Sequence, residues 1–209
     1  MGVGAGFRGL IWRDGRVHVR FPPVTPAPSL AFADYIRTIE AVLARRPADR
    51  VIIREVSKAT KRLCADDRWL DERHRAGSPD SYNRHLLHRD PENRFIVLSL
   101  VWMPGQMTPI HDHSCWGIMG ILDGSLEEVC YDRLDDGSRP EFAELEEVRG
   151  TDVGRGSVAY LLPPHEEIHR IGNTGDGQTI SLHVYGRDLD EVNVFDQTTG
   201  VVSAMRIKY

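Results

Sequence analysis

Three histidines carry the chemistry this chain can do. His111 and His113 lie in GQMTPIHDHSCWGIMGILDG, residues 105–124, and His169 opens HRIGN, residues 169–173. Along a strand, side-chain direction repeats every two residues, so an H-x-H places both imidazoles on one face. A third His from a facing strand completes one face of a metal ion. The remaining positions stay open, as a catalytic metal requires and a structural one does not. Taken alone, an H-x-H is more often a polar surface pair or a core histidine than a ligand pair. The surroundings argue for ligands. Gly105 precedes His111 by six positions, Gly117 follows His113 by four, and Gly124 lies seven further on. The second block runs Gly156, Pro163, Pro164, His169, Asn173.

These spacings resemble the two cupin motifs, G-x5-H-x-H-x3-E-x6-G and G-x5-P-x-G-x2-H-x3-N. Two positions depart from them. Gly117 stands where the first motif has Glu, and Glu166 stands where the second has the Gly after Pro. Loss of the Glu removes an anionic ligand and leaves three neutral imidazoles. A three-His cupin with Gly at that place resembles the cysteine dioxygenase family of thiol dioxygenases. The likeness is greatest to bacterial members, which include 3-mercaptopropionate dioxygenases. It spans residues 65–186 and is carried by RFIVLSLVWMPGQMTPIHDHSCWGIMGILDG and ISLHVYG.

The resemblance implies a mostly β fold, a cupin (jelly-roll) barrel with N-terminal α-helices packed on it. It implies Fe(II) held by His111, His113 and His169, and a reaction that adds both atoms of O2 to a thiol to give a sulfinic acid. The family's Ser-x-His-x-Tyr relay falls on Ser181, His183 and Tyr185, which alternate along one strand and face one side. By themselves these three read as an ordinary inward polar row. In the relay reading Ser181 orients His183, which orients Tyr185, a hydrogen-bond donor near the reacting groups.

Substrate choice turns on Arg84. SYNRHLLHRD, residues 81–90, resembles the family's Y-x-[RQ]-x-L stretch before the first barrel strand, with Arg typical of cysteine dioxygenases and Gln of the mercaptopropionate enzymes. A guanidinium is a planar fork that binds a carboxylate through two bonds. On composition alone Arg84 reads as a solvated helix residue. The expected substrate is L-cysteine, with 3-mercaptopropionate or another small mercapto acid as the alternative. The mammalian enzymes carry a Cys just after the H-x-H that crosslinks to the relay Tyr. Gly117 occupies that region here, so Tyr185 is expected to be an unmodified phenol. Cys115, two residues after His113, is expected to share the face of the His pair at another height. His165, His85 and His88 could be mistaken for ligands; His165, four residues before His169 in a Pro-rich turn, is read as a loop residue.

A reading from a different class is a non-catalytic cupin that binds a metal or a small molecule. The relay argues against it, since binding alone does not require one. Zinc and nickel suit imidazole as well as iron does, so the ligand types leave the metal open.

Composition fits a compact enzyme. The chain has 209 residues, 41% hydrophobic and 27% charged, with a formal charge of −5. That is enough for one domain with a sizeable core, and it argues against a nucleic-acid partner, which needs a basic patch. The three cysteines, Cys64, Cys115 and Cys130, show no paired spacing, which suggests a reducing, cytoplasmic setting without a disulfide framework. No apolar run approaches a membrane span, and no signal peptide is evident. The expected partners are a small thiol carboxylic acid and O2, with the protein a monomer or small homo-oligomer.

The organisation is one domain over residues 1–209, in three parts. Residues 1–28 form an extension, in which GLIWRDGRVHVRF alternates around the turn dipeptide Asp14-Gly15 and FPPVTPAPS is a linker. From Ser29 helical spacing takes over: Phe32, Tyr35, Ile36, Ile39 and Leu43 form one stripe. Ile53, Val56, Thr60 and Leu63 form a second, with Trp69-Leu70 as a buried anchor after it. The helical part runs from 29 to about 75 and the barrel from about 90 to 209. Candidate strands are 95–103, 116–122, 125–131, 142–148, 157–162, 179–185, 193–196 and 201–207, with Asp123-Gly124 as a hairpin turn. Many short strands broken by Gly and Pro indicate a sandwich or jelly roll.

Overall fold

The computed structural model describes residues 29–208 and the backbone of two short strands, β1 (Leu10–Arg13) and β2 (Arg16–Val19). These two pair antiparallel, Leu10 opposite Val19 and Arg13 opposite Arg16, as the alternation around Asp14-Gly15 predicts. The turn dipeptide and the Pro-rich residues 21–28 lie outside the described residues.

Helix α1 (Leu30–Leu43) starts where the side chain of Ser29 accepts the Phe32 N–H at 3.2 Å, satisfying one of the free donors of the first turn. Helix α2 (Asp49–Leu63) lacks a side-chain cap, but it carries Asp49 in its first turn and Lys61 and Arg62 in its last, both favourable to the helix dipole. The two are tied by a buried hydrogen bond between Tyr35 Oη and Thr60 Oγ1, 2.7 Å. Trp69 stacks on Phe32 and Leu70 is buried, so the anchor predicted after α2 closes this layer.

Two antiparallel sheets follow. The first is five-stranded: β3 (Asn83–Arg89), β4 (Ile96–Trp102), β11 (Thr179–Tyr185), β6 (Gly117–Asp123) and β9 (Val158–Leu161), in that spatial order. The second is six-stranded: β13 (Val202–Arg206), β12 (Glu191–Phe195), β5 (Ile110–His111), β10 (His169–Gly172), β7 (Ser125–Arg133) and β8 (Leu145–Gly154). Among the described residues no strand ladder joins the two, so they face each other as a jelly-roll sandwich rather than a hydrogen-bonded closed barrel.

The central strands of the first sheet are buried on both sides. Every residue of β4 and of β11 is buried; IVLSLVW is a nearly unbroken apolar run, whereas TISLHVY alternates an apolar face with a polar inward one. One face, with Val97, Val101, Leu182 and Val184, packs under α1 and α2. The other, with Ile96, Leu98, Leu100 and Trp102, meets Leu126, Val153 and Ile171 of the second sheet. At Gly120 the helix layer comes so close that a Cβ would stand 2.7 Å from both Cys64 Sγ and Thr60 Cγ2.

Several expected elements differ from what is observed. Asp123-Gly124 is not a hairpin turn. β6 and β7 belong to different sheets, and Gly124, at φ +73°, is the corner where the chain crosses between them. Thr179 occupies the inside of that corner, with Oγ1 bonded to the backbone of Ser125 on both its N–H and C=O sides. The strand expected at 142–148 begins three residues later, at Leu145, and extends to Gly154. The first sheet starts at Asn83, so the segment carrying Arg84 is itself a strand and not a lead-in to one.

Candidate metal centre and substrate cavity

The fold brings the three histidines together. In the second sheet β10 pairs with β5 so that His169 lies directly opposite His111. β5 is only two residues long, so His113 lies beyond the strand rather than on it. Its position is fixed by Glu167, whose Oε2 accepts from the backbone N–H groups of His113 (3.2 Å) and Ser114 (2.8 Å). The ring centroids of His111, His113 and His169 are 4.6, 4.9 and 5.1 Å apart, and one ligand atom from each lies within 4.8 Å of the others. All three residues are buried.

Ring orientation follows from the hydrogen bonds. His111 Nδ1 donates to the Pro109 carbonyl at 3.0 Å, and His169 Nδ1 donates to Glu128 Oε1 at 2.9 Å. Each bond fixes a tautomer whose Nε2 lone pair is free, the usual state of a metal-binding imidazole. His113 Nδ1 and His169 Nε2 are buried without any hydrogen-bond partner, which is costly unless something else takes them up. Burial, followed by the neighbouring His169, pushes His111 down to about 3. Burial and the other two rings hold His113 well below the usual imidazole range. Neutral rings with converging, unsatisfied nitrogens fit a divalent transition metal.

A small cavity of about 30 Å³ opens beside this cluster and is lined by His111, His113, Tyr82, Arg84, Thr108 and Tyr185 among apolar side chains. Arg84 reaches it because β3 pairs with β4 and places Arg84 opposite the inward Leu100. Its guanidinium sits over the ring of Tyr82, 4.6 Å from the centroid, and donates to the Tyr82 hydroxyl. Tyr82 in turn stacks on Trp102 at 4.2 Å. Arg84 is therefore a half-buried, braced strand residue and not a solvated helix one.

The relay residues form a continuous chain. Ser181 Oγ and His183 Nε2 are 2.8 Å apart, and His183 Nδ1 and Tyr185 Oη are 3.0 Å apart. The buried indole of Trp102 donates to Ser181 Oγ at 2.9 Å. An indole N–H can only donate, and His183 is kept neutral by burial, its value lowered to about 3. One arrangement leaves the Ser181 and His183 protons both paired: Ser181 donates to His183 Nε2, and His183 Nδ1–H donates to the Tyr185 oxygen. The Tyr185 proton is then free for the cavity. Burial raises the Tyr185 phenol above its ordinary range, so it stays protonated. Its ring stacks on His113 at 5.1 Å and 16°.

Gly117 is the cross-strand partner of Tyr185, and a Cβ there would meet the Tyr185 ring at 3.2 Å. Ser114, at φ +48°, breaks the strand alternation between His113 and Cys115, and Cys115 packs against the cluster that includes Tyr185 and Leu189. Burial pushes its thiol up to about 11. His85 Nε2 bonds to the Ala76 carbonyl, and His165 is exposed. His88 comes within ligand reach of Glu40 and Asp90, but Arg94 already clamps Asp90 at 2.7 and 2.9 Å.

Comparison with known proteins agrees with this geometry. The family model of cysteine dioxygenase type I matches residues 23–198. The chain belongs to this family. Its members are cupin thiol dioxygenases, so the chain is an enzyme of that kind, with a small-molecule substrate and O2 as reactants. Among solved structures the chain is similar to TT1209 from Thermus thermophilus (18% identity, 56% of this chain and 92% of that one, TM-score 0.39). It is also similar to a Cupin 2 conserved barrel domain protein from Salinispora arenicola (23%, 56% and 83%, 0.38). A third is an uncharacterized conserved protein with a double-stranded β-helix domain from Klebsiella pneumoniae subsp. pneumoniae (16%, 69% and 95%, 0.43). Among the described residues no helix is long and apolar enough to cross a membrane.

Sequence reasoning missed Tyr82, Trp102 and Glu128. Tyr82 was legible as the Tyr of Y-x-R-x-L. Glu128 shares its strand face with the buried Leu126, an acid in an inward row, and that was the available signal. Nothing local marks Trp102 as a donor.

Proposed function

We propose that the protein is a non-haem Fe(II) dioxygenase that adds both atoms of O2 to the thiol of L-cysteine, giving cysteine sulfinic acid. The observation that carries this reading is one cavity lined by a braced guanidinium, two of three converging neutral imidazoles and a phenol at the end of a proton-ordered chain. His111, His113 and His169 are the iron ligands. Bound there, Fe(II) supplies a Lewis acid that lowers the thiol pKa and a redox centre for dioxygen.

The other roles belong to the chain itself. Arg84 takes the substrate carboxylate in a two-bond clamp, and Tyr82 holds the fork in plane. Ile96, Leu98, Leu100 and Ile171 wall the cavity and exclude water. Tyr185 presents a hydrogen-bond donor, oriented through His183, Ser181 and Trp102. A cytoplasmic setting suits an enzyme whose three cysteines are all free.

One observation favours a second substrate, 3-mercaptopropionate. Among the described residues lining the cavity there is no carboxylate to pair with the ammonium of cysteine. Oxygen uptake by the Fe(II)-loaded protein, with each thiol in parallel and the product identified, tests both. Cysteine sulfinate formed at the higher kcat/KM supports the first reading. Preference for 3-mercaptopropionate supports the second. Uptake with neither rejects both and favours a binding protein.

A further inference from the structure

We infer that Glu128 is a positioning residue that supplies, through His169, the negative charge that Gly117 withholds from the metal. This rests on the reading that His111, His113 and His169 hold iron. Glu128 lies on β7, where it faces Ile171, and Cys130 faces His169. Residues on diagonal positions of one face are within reach of a long side chain, and Glu128 uses that reach to accept from His169 Nδ1 at 2.9 Å.

The three rings are not equivalent. His111 leans on a neutral carbonyl, and of the three only His169 is bonded to a carboxylate. Both side chains of that pair are 5% exposed. Arg149, on the neighbouring β8, acts on Glu128 electrostatically without reaching ion-pair distance. A buried carboxylate hydrogen-bonded to one imidazole gains further from a cation on the far side of that ring. Three neutral imidazoles leave a divalent ion with its full charge. Each deficit answers the other across one imidazole. A carboxylate behind a ligating histidine makes that histidine a stronger donor and fixes its orientation. The anionic group missing from the first motif is thus regained one ring away. It favours the ferric over the ferrous state.

The test compares wild type with Glu128→Gln and Glu128→Ala. Two quantities are read: the Fe(II) dissociation constant, by competition with a chromophoric chelator, and the Fe(III)/Fe(II) midpoint potential. Gln keeps an oxygen for the Nδ1–H and removes only the charge. Expected for Ala is a loss of metal affinity of about 10- to 100-fold. Expected for Gln is a roughly tenfold weaker preference for the ferric state, a rise of about 59 mV. A Gln variant at the wild-type potential overturns the inference, because a purely structural Glu128 leaves the potential alone. Should the Ala variant fail to fold, the Gln potential decides. Wild-type protein that binds no iron overturns the underlying reading and this inference with it, and is separable because that arm is read first.

Discussion

Replacing Arg84 by Met removes the fork and leaves a side chain of similar length. In the native cavity a substrate carboxylate gains two charge-assisted bonds from a guanidinium already braced by Tyr82. Hydrogen bonds to charged groups contribute about 1.5–3 kcal/mol each, and Arg84 is only half buried, so the lower end applies. The sum, about 3 kcal/mol, corresponds to roughly a hundredfold in kcat/KM. The assay is initial-rate oxygen uptake over a range of thiol concentrations, with L-cysteine and with 2-aminoethanethiol, which lacks the carboxylate. Arg84→Met should lose about a hundredfold on the first and little on the second, so the discrimination between them collapses. An equal loss on both thiols refutes the argument, because Arg84 would then be serving the cavity's structure and not reading a carboxylate. A loss below about threefold on cysteine refutes it too.

Three further outcomes are expected. Gly120→Val forces a side chain into Cys64 and Thr60 and should destabilise the fold by about 1–3 kcal/mol, read as a lower Tm with metal binding per folded molecule unchanged. Trp102→Phe leaves Ser181 without its donor, so nothing fixes the direction of the relay. Nitrogen-15 shifts of His183 should show a single Nδ1–H tautomer in wild type and a mixture in the variant; a mixture in wild type refutes the proton order drawn above. His111 and His183 are both lowered to about 3 in the fold. The unfolded chain therefore binds more protons between the ordinary histidine value and about 3, and metal-free protein loses stability as pH falls through that window, by about 1.4 kcal/mol per pH unit per histidine. Urea unfolding at pH 7, 6 and 5 measures the slope. His183→Gln should make it shallower, and an unchanged slope would count against His183 as one of the groups.

What the sequence made legible was what local periodicity and spacing encode. The stripes of α1 and α2 and the strands β4, β6, β7 and β11 follow from repeat lengths of 3.6 and 2, while the grouping of the three histidines follows from the resemblance of their spacing to the cupin motifs. The misses share another cause. β5 and β10, two and four residues long, exist through pairing with each other and with their neighbours, so neither leaves a pattern of its own. Asp123-Gly124 carries the chemistry of a hairpin turn, but Thr179, distant in sequence, decides that the chain turns a corner there. Glu128 and Trp102 matter because of partners 41 and 79 residues away, which no window along the chain connects.

The close approach of Gly117 to Tyr185 links the missing carboxylate to the seating of the phenol. The first carbon of any side chain at 117 would stand 3.2 Å from the Tyr185 ring and 3.3 Å from Leu161, so the ring would have to give by a few tenths of an ångström. That ring is stacked on His113, so a glutamate placed at 117 to restore an anionic group would press on the seat of the aromatic hydroxyl as well. The bare glycine therefore does two things at once: it leaves out a carboxylate and leaves the phenol its room.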